Sequence, residues 1–83
     1  MRDNFRTVLN YLASLERDKT GKAWKTGPEI KAELDILIED INDAIEKAEK
    51  RDFVEWMRSK GSAPYYFSKV TITSKGRLWA ENG

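Results

Sequence analysis

The 83-residue chain has no cysteine and no histidine. Disulfides are excluded, and so are zinc sites of the usual thiolate and imidazole kind. Acid–base or triad chemistry built on imidazole is excluded as well, leaving Ser59, Ser62, Ser68 and Ser74 without their commonest activating base. Only two prolines interrupt the chain, at positions 28 and 64. No apolar run approaches the roughly 18 residues that a membrane span needs, and the first residues, MRDNFRTV, are too polar for a secretory signal. These absences argue for a cytoplasmic protein that is not an enzyme, holds no cofactor and does not enter a membrane. A chain of this length also buries only about 60 to 65% of its unfolded surface, so residues 1–83 are read as a single domain with a small core.

What the chain does have is charge, and the charge is segregated. The net value is only +1, yet residues 1–28 hold six Lys/Arg against three Asp/Glu. Residues 29–52 hold four against nine, and residues 53–83 five against two. An acidic middle is therefore flanked by two basic segments.

Hydrophobic spacing orders the rest. Asp3 is placed to cap a first helix, in which Phe5, Val8, Leu9, Leu12 and Leu15 recur on one face and which should stop near Asp18. Tyr11 sits at the margin of that stripe, and Arg6, Asn10, Ser14 and Arg17 form the solvated face. The segment DKTGKAWKTG reads as a loop with a short extended piece over residues 23–26. Its Gly-Lys pair lacks the earlier Gly and the following Ser or Thr of a phosphate-binding loop. Thr26, Pro28 and Glu29 form a helix-start signal with capping-box spacing, and Ile30 and Leu34 should face inward. After a turn at Asp35 and Ile36, a second helix is expected from about Leu37 to Arg51, its buried stripe being Leu37, Ile41, Ala44, Ile45 and Ala48. Glu39 and Asp40 at its start, and Lys47, Lys50 and Arg51 at its end, suit the helix macrodipole.

Residues 53–58 and 65–73 are rich in β-branched and aromatic side chains and predict a hairpin with a six-residue tip. Val70 and Ile72 should face the core, while Tyr65, Phe67, Lys69 and Thr71 face away. Thr73 then caps a last helical turn or two, with Leu78 and Trp79 packing back.

Two stretches, EIKAELDILIEDINDAIEKAEKRDFV and VTITSKGR, carry a resemblance to the winged helix-turn-helix family. The first is similar to the family's helix-turn-helix and following strand, with Asp52 where a Gly often stands. The second resembles the passage that ends the wing and opens a closing helix. The resemblance implies an α+β fold: a three-helix core, a C-terminal β-hairpin wing and a short final helix. It also implies double-stranded DNA as partner, with the second helix of the unit in the major groove, where Asn42 is the one usual base-reading side chain. Leu37, Ile38, Glu39, Asp43 and Glu46 would lie in or beside the groove. Here the chain departs from the family, because three carboxylates would approach phosphates of like charge. DNA affinity would have to come from cations around them: Lys47, Lys50 and Arg51 late in the helix, and Arg58, Lys60, Lys69, Lys75 and Arg77 in the wing and tail. Lys22 and Lys25 are further candidates.

Other readings remain open beside a DNA-binding transcriptional regulator or accessory factor. Ile38, Glu39, Asp43 and Glu46 could instead form a protein-interaction surface, docking a basic partner or a second copy, or Ile38 could pack under the hairpin. Trp56, Tyr65, Tyr66 and Phe67 could stack single-stranded bases if exposed. Glu39, Asp40 and Asp43 have the spacing to share a hard cation, though a solvated helix face explains them more simply.

Overall fold

The computed structural model describes residues 3–15, 21–58, 61 and 63–82. Helix α1 spans Asn4–Ser14, and Asp3 caps it: Oδ1 accepts from the Arg6 backbone N–H at 3.2 Å. Such a cap is worth about 1 kcal/mol. Val8, Leu9 and Leu12 are buried, with Phe5, Tyr11 and Leu15 packed at the core margin. The helix stops before Asp18, because Leu15 has already turned to extended backbone and the Ser14 hydroxyl donates to the Tyr11 carbonyl at 2.7 Å. Residues 16–20 lie outside the described set.

Strand β1, Lys25–Thr26, leads directly into helix α2, Gly27–Leu34. The capping box forms as its spacing requires. The Glu29 N–H donates to Thr26 Oγ1 at 3.3 Å, and the Thr26 N–H donates to Glu29 Oε1 at 3.1 Å. Ile30 is fully buried, and α2 ends at Asp35, whose φ of 50° is the left-handed cap conformation.

Helix α3, Ile38–Lys50, buries Ile41, Ala44, Ile45 and Ala48. The head of that stripe differs from expectation. Leu37 is the N-cap, in extended backbone and 66% exposed, whereas Ile36 is 4% exposed in the core. A residue outside the helix does not keep the helical phase, so the turn sends Ile36 inward in its place. At the other end Asp52 takes φ 61°, the Asp52 N–H reaches the Glu49 carbonyl at 3.0 Å, and the Phe53 N–H reaches the Ala48 carbonyl at 2.9 Å. These are the paired bonds of a Schellman cap, which explains why Gly or a short polar residue is needed there.

Strands β2, Val54–Met57, and β3, Lys69–Ile72, complete a three-stranded antiparallel sheet of order β1-β3-β2. Val54 pairs with Ile72, and Trp56 with Val70. Both strands are shorter than their sequence runs, and two residues expected to face outward are buried. Phe67 precedes β3, so strand alternation does not govern it; it turns into the core beside Trp56, ring centroids 6.4 Å apart. Thr71 does face away from the core, but Ala23 covers it and donates its N–H to the hydroxyl at 3.3 Å.

Helix α4, Ser74–Asn82, is longer than the expected turn or two. Thr73 begins it by accepting from the Gly76 N–H at 3.1 Å, while its hydroxyl donates to the Asp52 carbonyl at 2.6 Å. Any Cβ on Gly76 would collide with the Phe53 carbonyl, which fixes glycine at that position. Trp79 packs on Phe5 and Phe53, as expected of it, but Leu78, about 100° round the helix from it, is 59% exposed. The chain is thus a small α+β domain with four helices and one antiparallel sheet among its described residues.

Candidate interaction surface on helix α3

At about 100° per residue, Glu39, Asp43, Glu46, Lys47 and Lys50 fall on the side of α3 opposite Ile41 and Ala48. Asn42 lies between the two sides and is only 5% exposed. Its amide nitrogen donates to the Pro64 carbonyl at 3.0 Å, and its amide oxygen accepts from the Tyr66 N–H at 2.9 Å. One side chain therefore fastens the approach to β3 onto α3. An Asn so engaged cannot also read a base edge, and the expectation that Asn42 does so gives way to this clamp role.

The clamp sets Tyr66, 54% exposed, beside the carboxylates. Glu39, Asp40, Asn42, Asp43, Glu46 and Tyr66 line an open recess of about 530 Å³. Next to it, Leu37 and Ile38 form an apolar hollow of about 290 Å³ with Lys31 and Glu39 at its edge. Ile38 is half-buried and contributes to that hollow, so it neither stands free nor disappears under the hairpin.

The helix's cations are engaged locally. Lys47 Nζ lies 3.2 Å from Asp43, and Lys50 Nζ lies 3.4 Å from Glu46, both as exposed i, i+4 pairs. Glu39 and Asp40 have no ion-pair partner among the described residues. Elsewhere, Lys22 pairs with Glu55 at 2.8 Å and Lys25 with Glu29 at 3.4 Å. Arg77 is half-buried and donates from Nη1 to the Ala13 carbonyl at 2.8 Å, tying α4 to the end of α1. The remaining candidates sit over rings: Arg51 at 5.2 Å from the Phe5 centroid, Arg58 at 4.6 Å from Trp56, Lys69 at 5.0 Å from Trp24 and Lys75 at 5.9 Å from Phe53. Lys60 lies outside the described residues.

Sequence reasoning missed Arg6, which it assigned to plain solvent. Its guanidinium lies 4.6 Å from the Trp79 ring, a contact that exists only because α4 folds back on α1. The proposed stacking platform is not assembled: Phe67 is buried, the Tyr65 ring lies against Gly27, and Trp56 is half-buried under Arg58. Among the described residues no group of three or more carboxylates is placed to hold a metal ion, Glu39, Asp40 and Asp43 included. No described helix is long and apolar enough to cross a membrane.

Among the described residues, two ionisable groups are clearly displaced from their ordinary range. Hydrogen bonds from the Thr26 backbone and hydroxyl hold the Glu29 carboxyl below it. Burial raises the Tyr11 phenol, whose hydroxyl has no hydrogen-bond partner among the described residues. Neither belongs to the α3 face, so the α3 surface owes its character to exposed charge. Comparison with known proteins adds nothing to this geometry: no family model, no curated protein and no solved structure matches the chain.

Proposed function

We propose that the chain is a winged-helix domain whose α3 face docks a basic protein partner. The order α1, β1, α2, α3, β2, β3, α4, with β1 joining the hairpin sheet, supports the fold reading. One observation carries the functional reading. Asn42 pins the Pro64–Tyr66 segment against α3, so the side that would enter a DNA groove carries Glu39, Asp43 and Glu46 beside exposed Tyr66 and Leu37. Phosphates approaching that side would meet carboxylates, and its two lysines are already paired. A surface of lysine, arginine and one large apolar side chain complements it instead. A cytoplasmic location belongs to the same proposal.

The test is a fluorescence-anisotropy titration against a labelled peptide rich in Lys and Arg with a Leu or Phe anchor, beside a labelled duplex, at low salt. Peptide binding that weakens at least tenfold in the Glu39→Lys/Asp43→Lys variant supports the reading. Duplex binding without peptide binding, or peptide affinity unchanged in that variant, overturns it.

A second reading, duplex binding through the hairpin, is favoured by Arg58 and Lys69, which have no carboxylate partner among the described residues. It requires duplex affinity that falls in Arg58→Gln/Lys69→Gln and is indifferent to the α3 changes.

A further inference from the structure

We infer that the basic partner of the α3 face is a second copy of this chain, which presents Arg6, Arg51 and Lys75 to it head to tail; this rests on the docking reading above. Phe5, Phe53 and Trp79 form an aromatic triad with centroid separations of 5.2 Å, 5.5 Å and 6.3 Å. Three cations from three parts of the chain stand over it: Arg6 over Trp79, Arg51 over Phe5 and Lys75 over Phe53. Lys22, Lys25, Lys31, Lys47 and Lys50 each hold a carboxylate, whereas none of these three has one among the described residues, not even their sequence neighbours Asp3 and Asp52. Arg58 over Trp56 and Lys69 over Trp24 are likewise without a carboxylate among the described residues, but only Arg6, Arg51 and Lys75 converge on one group of rings there. A ring holds a cation in place but offers no lone pair in its plane, so the N–H donors remain available to an incoming carboxylate.

The complement is on the same molecule. Residues 29–52 carry nine acidic side chains against four basic, and the recess on α3 presents Glu39 and Asp40, which have no ion-pair partner among the described residues. Both surfaces also carry apolar area: Leu37 and Tyr66 on the acidic side, half-buried Phe5 and Trp79 on the basic side. One copy cannot join them internally. The hairpin occupies one flank of α3 through Asn42 and Tyr66, and α1 occupies the other, where Phe5 meets Arg51. A head-to-tail contact leaves one patch free at each end of a pair, so the expected product is a concentration-dependent series of oligomers that salt disperses.

The experiment is sedimentation velocity at high protein concentration in about 20 mM and about 0.5 M salt, where screening lengths differ several-fold. Two variants are used, Arg51→Glu/Lys75→Glu and Glu39→Lys/Asp43→Lys, with circular dichroism to verify folding. Wild type should sediment as a concentration-dependent series at low salt and as monomer at high salt. Each variant alone should be monomeric, and a mixture of the two should associate, because the original acidic patch of one meets the original basic patch of the other and the two reversed patches complement each other as well. Monomeric wild type at low salt, or a mixture that stays monomeric, overturns the inference. Should a charge reversal unfold the chain, Arg51→Gln/Lys75→Gln carries the same test. If wild type stays monomeric while the basic peptide still binds α3, the self-association falls and the docking reading stands; if neither binds, both fall.

Discussion

The two flanks of α3 use similar charges differently. On the hairpin flank a buried amide, Asn42, holds two backbone groups, and the charges beyond it pair along the helix. On the α1 flank three rings meet, the cations above them have no carboxylate partner among the described residues, and the bond from Arg77 to the Ala13 carbonyl ties α4 to the far end of α1 rather than to α3. The first flank fixes position by hydrogen bonds, which are directional and costly to leave unmade. The second fixes it by packing, which is costly to overfill. Substitution should therefore fail in different ways on the two sides.

The largest effect is expected on the packed side. Gly76→Ala forces a methyl group into the Phe53 carbonyl and displaces α4 from the triad, so urea unfolding should show a loss of about 2–3 kcal/mol or more. A loss below about 0.5 kcal/mol would mean that α4 is not held where Trp79 packs. Next comes the clamp. Asn42→Ala leaves the Tyr66 N–H and the Pro64 carbonyl unpaired and should lose about 2 kcal/mol, with amide exchange accelerated at Tyr66 before α1 is affected. Uniform acceleration would merge the two flanks into one cooperative unit.

A smaller loss, about 1 kcal/mol, is expected for Thr26→Ala, which removes the capping box far from either flank. It has a pH signature. Glu29 binds its proton less readily folded than unfolded, so its contribution is present above the ordinary glutamate value of about 4.3 and is lost as pH falls through the lower folded value. The variant should flatten that part of the stability–pH curve. The smallest change is a gain: Asp52→Gly should add about 0.5 kcal/mol, since glycine takes the left-handed cap at φ 61° without steric cost.

Features set by local chemistry were legible in the sequence. Asp3, Thr26 with Glu29, and Thr73 begin helices where their side chains reach free N–H groups, and the Ile41–Ala48 stripe is buried as its period requires. What misled was phase at element ends. Leu37 and Phe67 sit just outside α3 and β3, where helical or strand periodicity no longer orients a side chain, and both face the opposite way from expectation. The site was legible only in part. The acidic face of α3 could be read from spacing, but the Asn42 clamp depends on a hairpin 22 residues away, and the Arg6–Trp79 contact on a helix at the far end of the chain. No local pattern encodes either; only the folded arrangement of α3, the hairpin and α4 brings them together.

The most direct test of α3 as a protein-docking surface is an amide chemical-shift map of the labelled chain, titrated with the basic anchored peptide and then with a duplex. The account predicts that the peptide moves Ile38, Glu39, Asp43, Glu46 and Tyr66 while the duplex leaves them in place. Shifts of those amides with duplex, and none with peptide, would contradict it.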